Sequence, residues 1–267
     1  MNAPLSILKM RLLRGMQYRA SAAAGMVTQF FFGLIIIMVY IAFYEHSGAA
    51  QPMTLKEVTA YVWLTQMFYA FVAYWMYDGE LFAQITSGNI AYELCRPWRI
   101  YPVWYAKLLA MRLSIAALRS LPIMAVVFLL PEPYRFALPA SPGAFLLFIA
   151  ALFSGLLLVA AISMFVYISV FWTMSPVGSL IVATVTGEFF AGVILPVPFM
   201  PEWLQEIVYL LPFRWTADFP FRVYTGHIGA QDALAGIVIQ MIWLAALVSA
   251  GQWLMGRALR RVVVQGG

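Results

Sequence analysis

Charge is what this chain has least of. Asp, Glu, Lys and Arg make up 10% of its 267 residues, against 64% hydrophobic residues, and a soluble domain could not build a polar exterior from that. Cysteine is nearly absent too: a lone Cys95 excludes an internal disulfide and any multi-cysteine metal site, and reads as a small buried or interfacial side chain. The two histidines, His46 and His227, fall in loops with no nearby cysteine or carboxylate cluster to complete a metal site. There is no G-x-x-x-x-G-K-S/T phosphate loop, so ATP is not bound by that route. H-E-x-x-H and G-x-S-x-G are missing as well, which leaves a membrane hydrolase nothing to work with. No internal repeat and no long hydrophilic stretch are visible, so 1–267 reads as one membrane domain.

What is abundant is apolar sequence in long runs. About six runs reach the roughly 20 residues needed to cross a bilayer: Ala20–Tyr44, Val58–Tyr77, Tyr105–Leu130, Gly143–Trp172, Val177–Ile194 and Ala233–Leu254. The expectation is an all-α polytopic membrane protein with about six transmembrane helices. No signal peptide is visible; the first run is long enough to stay as a membrane helix. Basic residues fix the orientation. Lys9, Arg11, Arg14, Arg19, Arg96, Arg99, Lys107, Arg112, Arg257, Arg260 and Arg261 fall on one side, and only Lys56, Arg135, Arg214 and Arg222 on the other. Both termini are expected in the cytoplasm. The net charge of +5 suits lipid headgroups and topology, because the basic residues sit beside apolar spans and form no nucleic-acid-binding tract.

Three segments stand apart from the spans. Residues 1–19 carry Leu5, Leu8, Leu12 and Met16 at helical spacing opposite Arg11 and Arg14, which reads as an amphipathic interfacial helix or as a basic flank that only sets topology. Residues 79–104 form the longest inner loop, with short helices at Glu80–Thr86 and Ile90–Leu94 around a Ser87-Gly88-Asn89 turn. A mixed apolar and charged helix held out in water is a shape for docking a partner, beyond what a plain connector needs. Residues 188–224 are too apolar for a soluble loop and too broken by Pro196, Pro198, Pro201, Pro212 and Pro220 to cross the bilayer. They predict a re-entrant helical hairpin on the outer side between spans five and six, covered by protein because lipid cannot satisfy its free backbone groups.

Glu188, beside Gly187 and Phe189, is the most deeply placed acid. It is either a functional group or a carboxylate that caps the re-entrant helix or pairs with Arg214 or Arg222. Arg112 and Arg119 are seven residues apart, share a helix face and are expected to face protein or to snorkel inward. Gln29, Gln66 and Thr186 line a pathway or make helix–helix hydrogen bonds. The tryptophans near span ends read as interface anchors.

Together, the basic amino-terminal helix, the six spans, the inner Gly88…Leu94-Cys95-Arg96-Pro97 segment and the outer Gly192-Val193-Ile194-Leu195-Pro196…Met200-Pro201…Leu211-Pro212-Phe213…Pro220…Gly226 pattern resemble the permease subunits of ATP-binding-cassette exporters of the ABC type-2 class. Within that class the chain is similar to a bacterial six-span family. The resemblance implies a non-enzymatic exporter subunit in the bacterial cytoplasmic (inner) membrane. It implies two copies of a separate cytoplasmic ATPase, which would hold the ATP and magnesium, and a second permease, identical or homologous; this chain itself would carry no cofactor. It places ATPase coupling at Ile90, Tyr92, Glu93, Leu94 and Arg96 and makes the outer hairpin the closure of the pathway; with the polar residues inside the spans, the candidates for the pathway or its gate are Gln29, Gln66, Thr186, Glu188, Phe189, Pro196 and Pro212. The alternative from another class is an ion-coupled secondary transporter with Glu188 as coupling group; the lack of a repeat or of paired broken helices argues against it.

Overall fold

A computed structural model describes residues 3–17, 19–46, 48 and 50–261. Residues 1, 2 and 18 of the expected amino-terminal helix, and both chain ends, lie outside the described residues. Among the described residues the chain is all-helical, without strands. In order the helices are α1 (Ala3–Gly15), α2 (Arg19–His46), α3 (Leu55–Met67), α4 (Tyr69–Val72), α5 (Gly79–Thr86), α6 (Ile90–Leu94), α7 (Ile100–Val127), α8 (Pro142–Thr173), α9 (Val177–Phe190), α10 (Glu202–Tyr209), α11 (Asp218–Thr225) and α12 (Ala230–Leu259). Two 3-10 turns, Val197–Phe199 and Arg214–Thr216, flank α10.

Four helices, α2, α7, α8 and α12, are long and apolar enough to cross a membrane. They are not equivalent. In its most apolar stretch α8 is 61% buried, against 17% for α2 and α12, so α8 is the axis and the other two are the rim. The rim helices turn Phe31, Ile35, Val39, Val238 and Ile242 outward, as lipid-facing surfaces require. α8 starts cleanly: Ser141 Oγ accepts the Ala144 N–H at 3.0 Å, and Pro142 sits in the first turn, where its missing donor costs nothing. It ends at Met174 in the left-handed conformation, two residues before Pro176. Gly155 of α8 lets the backbone of Thr216 approach so closely that a Cβ would lie 2.8 Å from the Thr216 carbonyl oxygen. On the same side Gln240 of α12 donates to the carbonyls of Ala151 at 2.9 Å and Trp215 at 2.7 Å, tying α12, α8 and the turn before α11 together.

The second apolar run is not one helix. α3 opens with a capping box, in which Glu57 N–H donates to Thr54 Oγ1 at 3.3 Å and Thr54 N–H to Glu57 Oε2 at 2.6 Å. It breaks at Phe68, resumes for one turn as α4, and gives way to a non-helical strap, Ala73–Asp78. The fifth run is shorter than its apolar length suggests: α9 stops at Phe190, and Gly192, at a φ of 80°, turns the chain in the left-handed region. Tyr61 Oη donates to the Gly192 carbonyl at 2.9 Å, fixing that turn to α3.

From that turn to α11 the chain is held by one buried carboxylate. Asp218 is wholly buried; its N–H donates to the Ala191 carbonyl at 3.0 Å, its Oδ1 accepts the Val197 N–H at 3.2 Å and its Oδ2 accepts from Arg222 at 3.2 Å. α11 is packed in the core, with Phe221 edge-on to Tyr61 at 5.3 Å, whereas α10 exposes Trp203 and Ile207. α1 packs against the first part of α7: Ser114 Oγ donates to the Leu12 carbonyl at 3.2 Å, and Leu5, Met10 and Leu13 stay exposed.

Candidate functional site

The strap Ala73–Asp78 has backbone groups outside any helix, and side chains of α7, α8 and α9 pair with them. Arg112 of α7 is wholly buried and has no carboxylate within ion-pair distance among the described residues. Its Nη1 donates to the carbonyls of Ala70 at 2.9 Å and Ala73 at 2.7 Å; its Nη2 reaches the Met76 carbonyl at 3.4 Å and Ser163 Oγ of α8 at 3.2 Å. The guanidinium therefore stands where the next turn of helix would have supplied donors, at the negative end of the α4 dipole. Its charge is met by oriented carbonyls, the use a fork of fixed donors serves best.

The strap's amides are met from the other side. Glu188 of α9 accepts the Tyr74 N–H at 3.2 Å, and Tyr167 Oη of α8 accepts the Asp78 N–H at 2.6 Å. Tyr74 Oη pairs with Thr216 Oγ1 at 3.2 Å, and the Tyr74 ring lies against Gly187, where a Cβ would come within 2.6 Å of it. Trp75 and Tyr77 project outward from the same strap. A non-helical segment between membrane helices, clamped by a buried cation and a buried acid, is irregular backbone kept from lipid.

The strap ends in the loop that carries α5 and α6. Asp78 caps α5, its Oδ1 accepting the Glu80 N–H at 2.9 Å, while its Oδ2 pairs with Arg11 of α1 at 3.2 Å. Arg11 also pairs closely with Glu80, which Arg14 reaches at 3.4 Å. Partial burial pushes the Glu80 carboxyl up, but the hydrogen bond and charge of Arg11, with Arg14 and Lys107, hold it below the usual carboxylate range. α5 buries Leu81, Phe82 and Ile85, with Phe82 stacked on Tyr167 at 4.4 Å.

The residues read from the sequence as a coupling element separate into two sets. Ile90 is buried, and Glu93 is buried against Lys107 Nζ at 3.6 Å and Trp98 Nε1 at 3.4 Å. Tyr92 is 73% exposed and Leu94 42%, and Arg96 stacks on Trp98 at 5.0 Å. One face thus anchors α6 and the other is free. The pathway candidates do not form one cluster. Gln66 and Pro196 line a narrow cleft with Tyr40, Tyr61 and Val193. Phe189 packs edge-on to Phe190, which lies beside Phe213, next to Pro212. Gln29 is buried in α2 with its carbonyl oxygen unpaired, and Thr186 is half-buried. Glu188 meets neither Arg214 nor Arg222: Arg222 goes to Asp218, and Arg214 stacks between Tyr209 at 4.2 Å and Trp215 at 4.5 Å. Sequence reasoning passed over Asp218 and Tyr167. An acid inside RWTADFPFRVY was the signal for the first; nothing marked the second.

Membrane-length helices around a clamped, unwound segment that continues into a folded loop make this a polytopic membrane protein. A search of curated proteins returned no match. The family model described as ABC-2 family transporter protein matches residues 30–266, and the chain belongs to that family. It is accordingly a permease, the membrane component of a transport system.

Proposed function

We propose that the chain is the membrane half-unit of a bacterial exporter, two permeases forming the pathway and two copies of a separate cytoplasmic ATPase driving it. ATP and magnesium belong to that ATPase. In this reading the chain makes six passes of the cytoplasmic membrane, the four long helices together with the broken α3–α4 and the short α9, with both termini inside. Residues 188–224 then form the re-entrant outer closure, and Gln29, Gln66, Thr186, Glu188, Phe189, Pro196 and Pro212 belong to the pathway or its gate.

The observation that carries the reading is the build of α6. Tyr92 and Leu94 are presented to solvent on a helix whose opposite face is pinned by Ile90 and Glu93. That pinned face abuts Trp98 and Lys107 of the α7 entry, and the α5 cap, Asp78, is the end of the strap. ATPase closure pushing on α6 would bias two arrangements of the strap and of the helices that clamp it, a population shift driven by differential contacts. Small docking helices concentrate binding energy in few residues. Leu94→Asp is expected to weaken the ATPase contact by about 2 kcal/mol and to abolish transport while the permease stays folded. Undiminished co-purification and transport would remove α6 from the coupling.

A further inference from the structure

A crevice of about 360 Å³ lies between α1, the start of α2, the strap end and α7, within the roughly 300–1,000 Å³ typical of small-ligand pockets. Four cations line it, Arg11, Arg14, Lys107 and Arg119, against two carboxylates, Asp78 and Glu80. Three of the cations are already committed. Arg11 and Arg14 pair with Asp78 and Glu80, and Lys107 pairs with Glu93. Arg119 is not: among the described residues it has no ion pair or hydrogen bond, and its Nε is buried without a partner.

Arg119 is half-buried in the wall of the crevice. It stands 12 residues beyond Lys107 on α7, about 18 Å further along the helix. Its guanidinium lies against Gly25 of α2, at a spot that any Cβ on residue 25 would occupy. The missing side chain makes a seat for the fork against α2. A half-buried cation without a partner on a membrane-length helix is stabilised when an anion joins it, and a guanidinium fork matches the paired oxygens of phosphate. Between Lys107 and Arg119 the wall carries Met111, Ile115 and Leu118, and its one polar side chain, Ser114, is turned to the Leu12 and Ala110 carbonyls. The seat therefore sets an oxyanion-binding fork beside an apolar strip.

We propose that the α1–α2–α7 crevice binds the phosphate group of an amphiphile, with the oxyanion on Arg119 and the alkyl chain along Met111, Ile115 and Leu118. The proposal rests on α7 lying in the membrane and not on the direction of transport. Two sources supply this chemistry, an anionic phospholipid of the bilayer and a free amphiphilic phosphate.

The test uses the full-length permease in detergent, titrated with dodecyl phosphate. Arg119→Gln is expected to weaken binding about tenfold, the worth of one charge-assisted contact, with Arg119→Lys intermediate. Ser21→Phe, at the exposed rim of the crevice, leaves Arg119 in place and is expected to weaken binding by obstruction; it keeps the test open if the Arg119 variants misfold. Exposed Arg260→Gln is the control and should bind as the parent does. Phosphatidylglycerol that co-purifies with the parent and is depleted in Arg119→Gln assigns the site to bilayer lipid; equal lipid with lost dodecyl phosphate binding assigns it to a free amphiphile. Equal dodecyl phosphate affinity in the parent, Arg119→Gln and Ser21→Phe overturns the site, and inorganic phosphate binding as tightly as dodecyl phosphate overturns the amphiphile.

Discussion

Replacing Arg112 by Met tests whether the strap is held by its guanidinium. The side chains are similar in length, so the perturbation is loss of donors and charge more than loss of volume. Two of the four contacts, to the carbonyls of Ala70 and Ala73 at 2.9 and 2.7 Å, have normal hydrogen-bond length; the Met76 contact at 3.4 Å and the Ser163 contact at 3.2 Å are weaker. Hydrogen bonds to charged groups contribute about 1.5–3 kcal/mol each, so the two strong ones together contribute roughly 3–6 kcal/mol. Removing a buried cation also recovers part of its desolvation cost, which brings the expected net loss to the lower end, about 3 kcal/mol. Ser163→Ala removes one weaker contact and should cost about 1 kcal/mol or less. The assay is thermal unfolding of the purified permease, paired with thiol labelling of a cysteine at position 76, buried in the strap, in a Cys95→Ser background. Arg112→Met is expected to melt well below Ser163→Ala and to open position 76 to the reagent. If Arg112→Met melts with the parent and position 76 stays protected, the strap does not depend on this cation and the reasoning is wrong.

Three further outcomes are expected. With Cys95 replaced, an impermeant thiol reagent on intact cells should label a cysteine at position 227 and not one at 96; the reverse pattern refutes the inside placement of the α5–α6 loop. Glu188→Gln keeps an oxygen for the Tyr74 N–H, so transport should persist with a modest loss of stability, whereas loss of transport with assembly intact would make Glu188 a pathway or ion-coupling group. Glu80 is held below its ordinary value of 4.5, so its contribution to docking α1 on α5 is complete above that pH and is lost as pH falls through the lower folded value. The protection of α1 amides, taken relative to their intrinsic exchange at each pH, should be unchanged between pH 7 and 5 and should fall in more acid buffer; a fall already at pH 6 would place the docking elsewhere.

The membrane-length helices were legible because length and apolarity report directly on the solvent they need. Tyr105–Leu130 became α7 at Ile100–Val127, and Gly143–Trp172 became α8 within a residue at each end. The break in the second run was not legible: between Val58 and Tyr77 there is neither proline nor glycine, so nothing local announces it. Its cause is tertiary, a guanidinium from another helix that takes over the carbonyls. Arg112 and Arg119 show the same limit. Spacing puts them on one face of α7, but the first meets the end of α4 and the second meets a glycine of α2, and only the packing partners tell them apart. On α6, helical periodicity was too short to separate buried Ile90 and Glu93 from exposed Tyr92 and Leu94.

Asp78 illustrates how narrowly such a junction constrains substitution. Its amide is bound to Tyr167, one carboxylate oxygen to the Glu80 amide and the other to Arg11. Asparagine would keep the cap and lose the ion pair, glutamate would overreach its own cap, and any apolar residue would leave Arg11 leaning on Glu80 alone. In related chains, residues 78 and 11 should therefore change together or stay fixed, so the joint between the α5–α6 loop and the strap has an evolutionary lock with two keys.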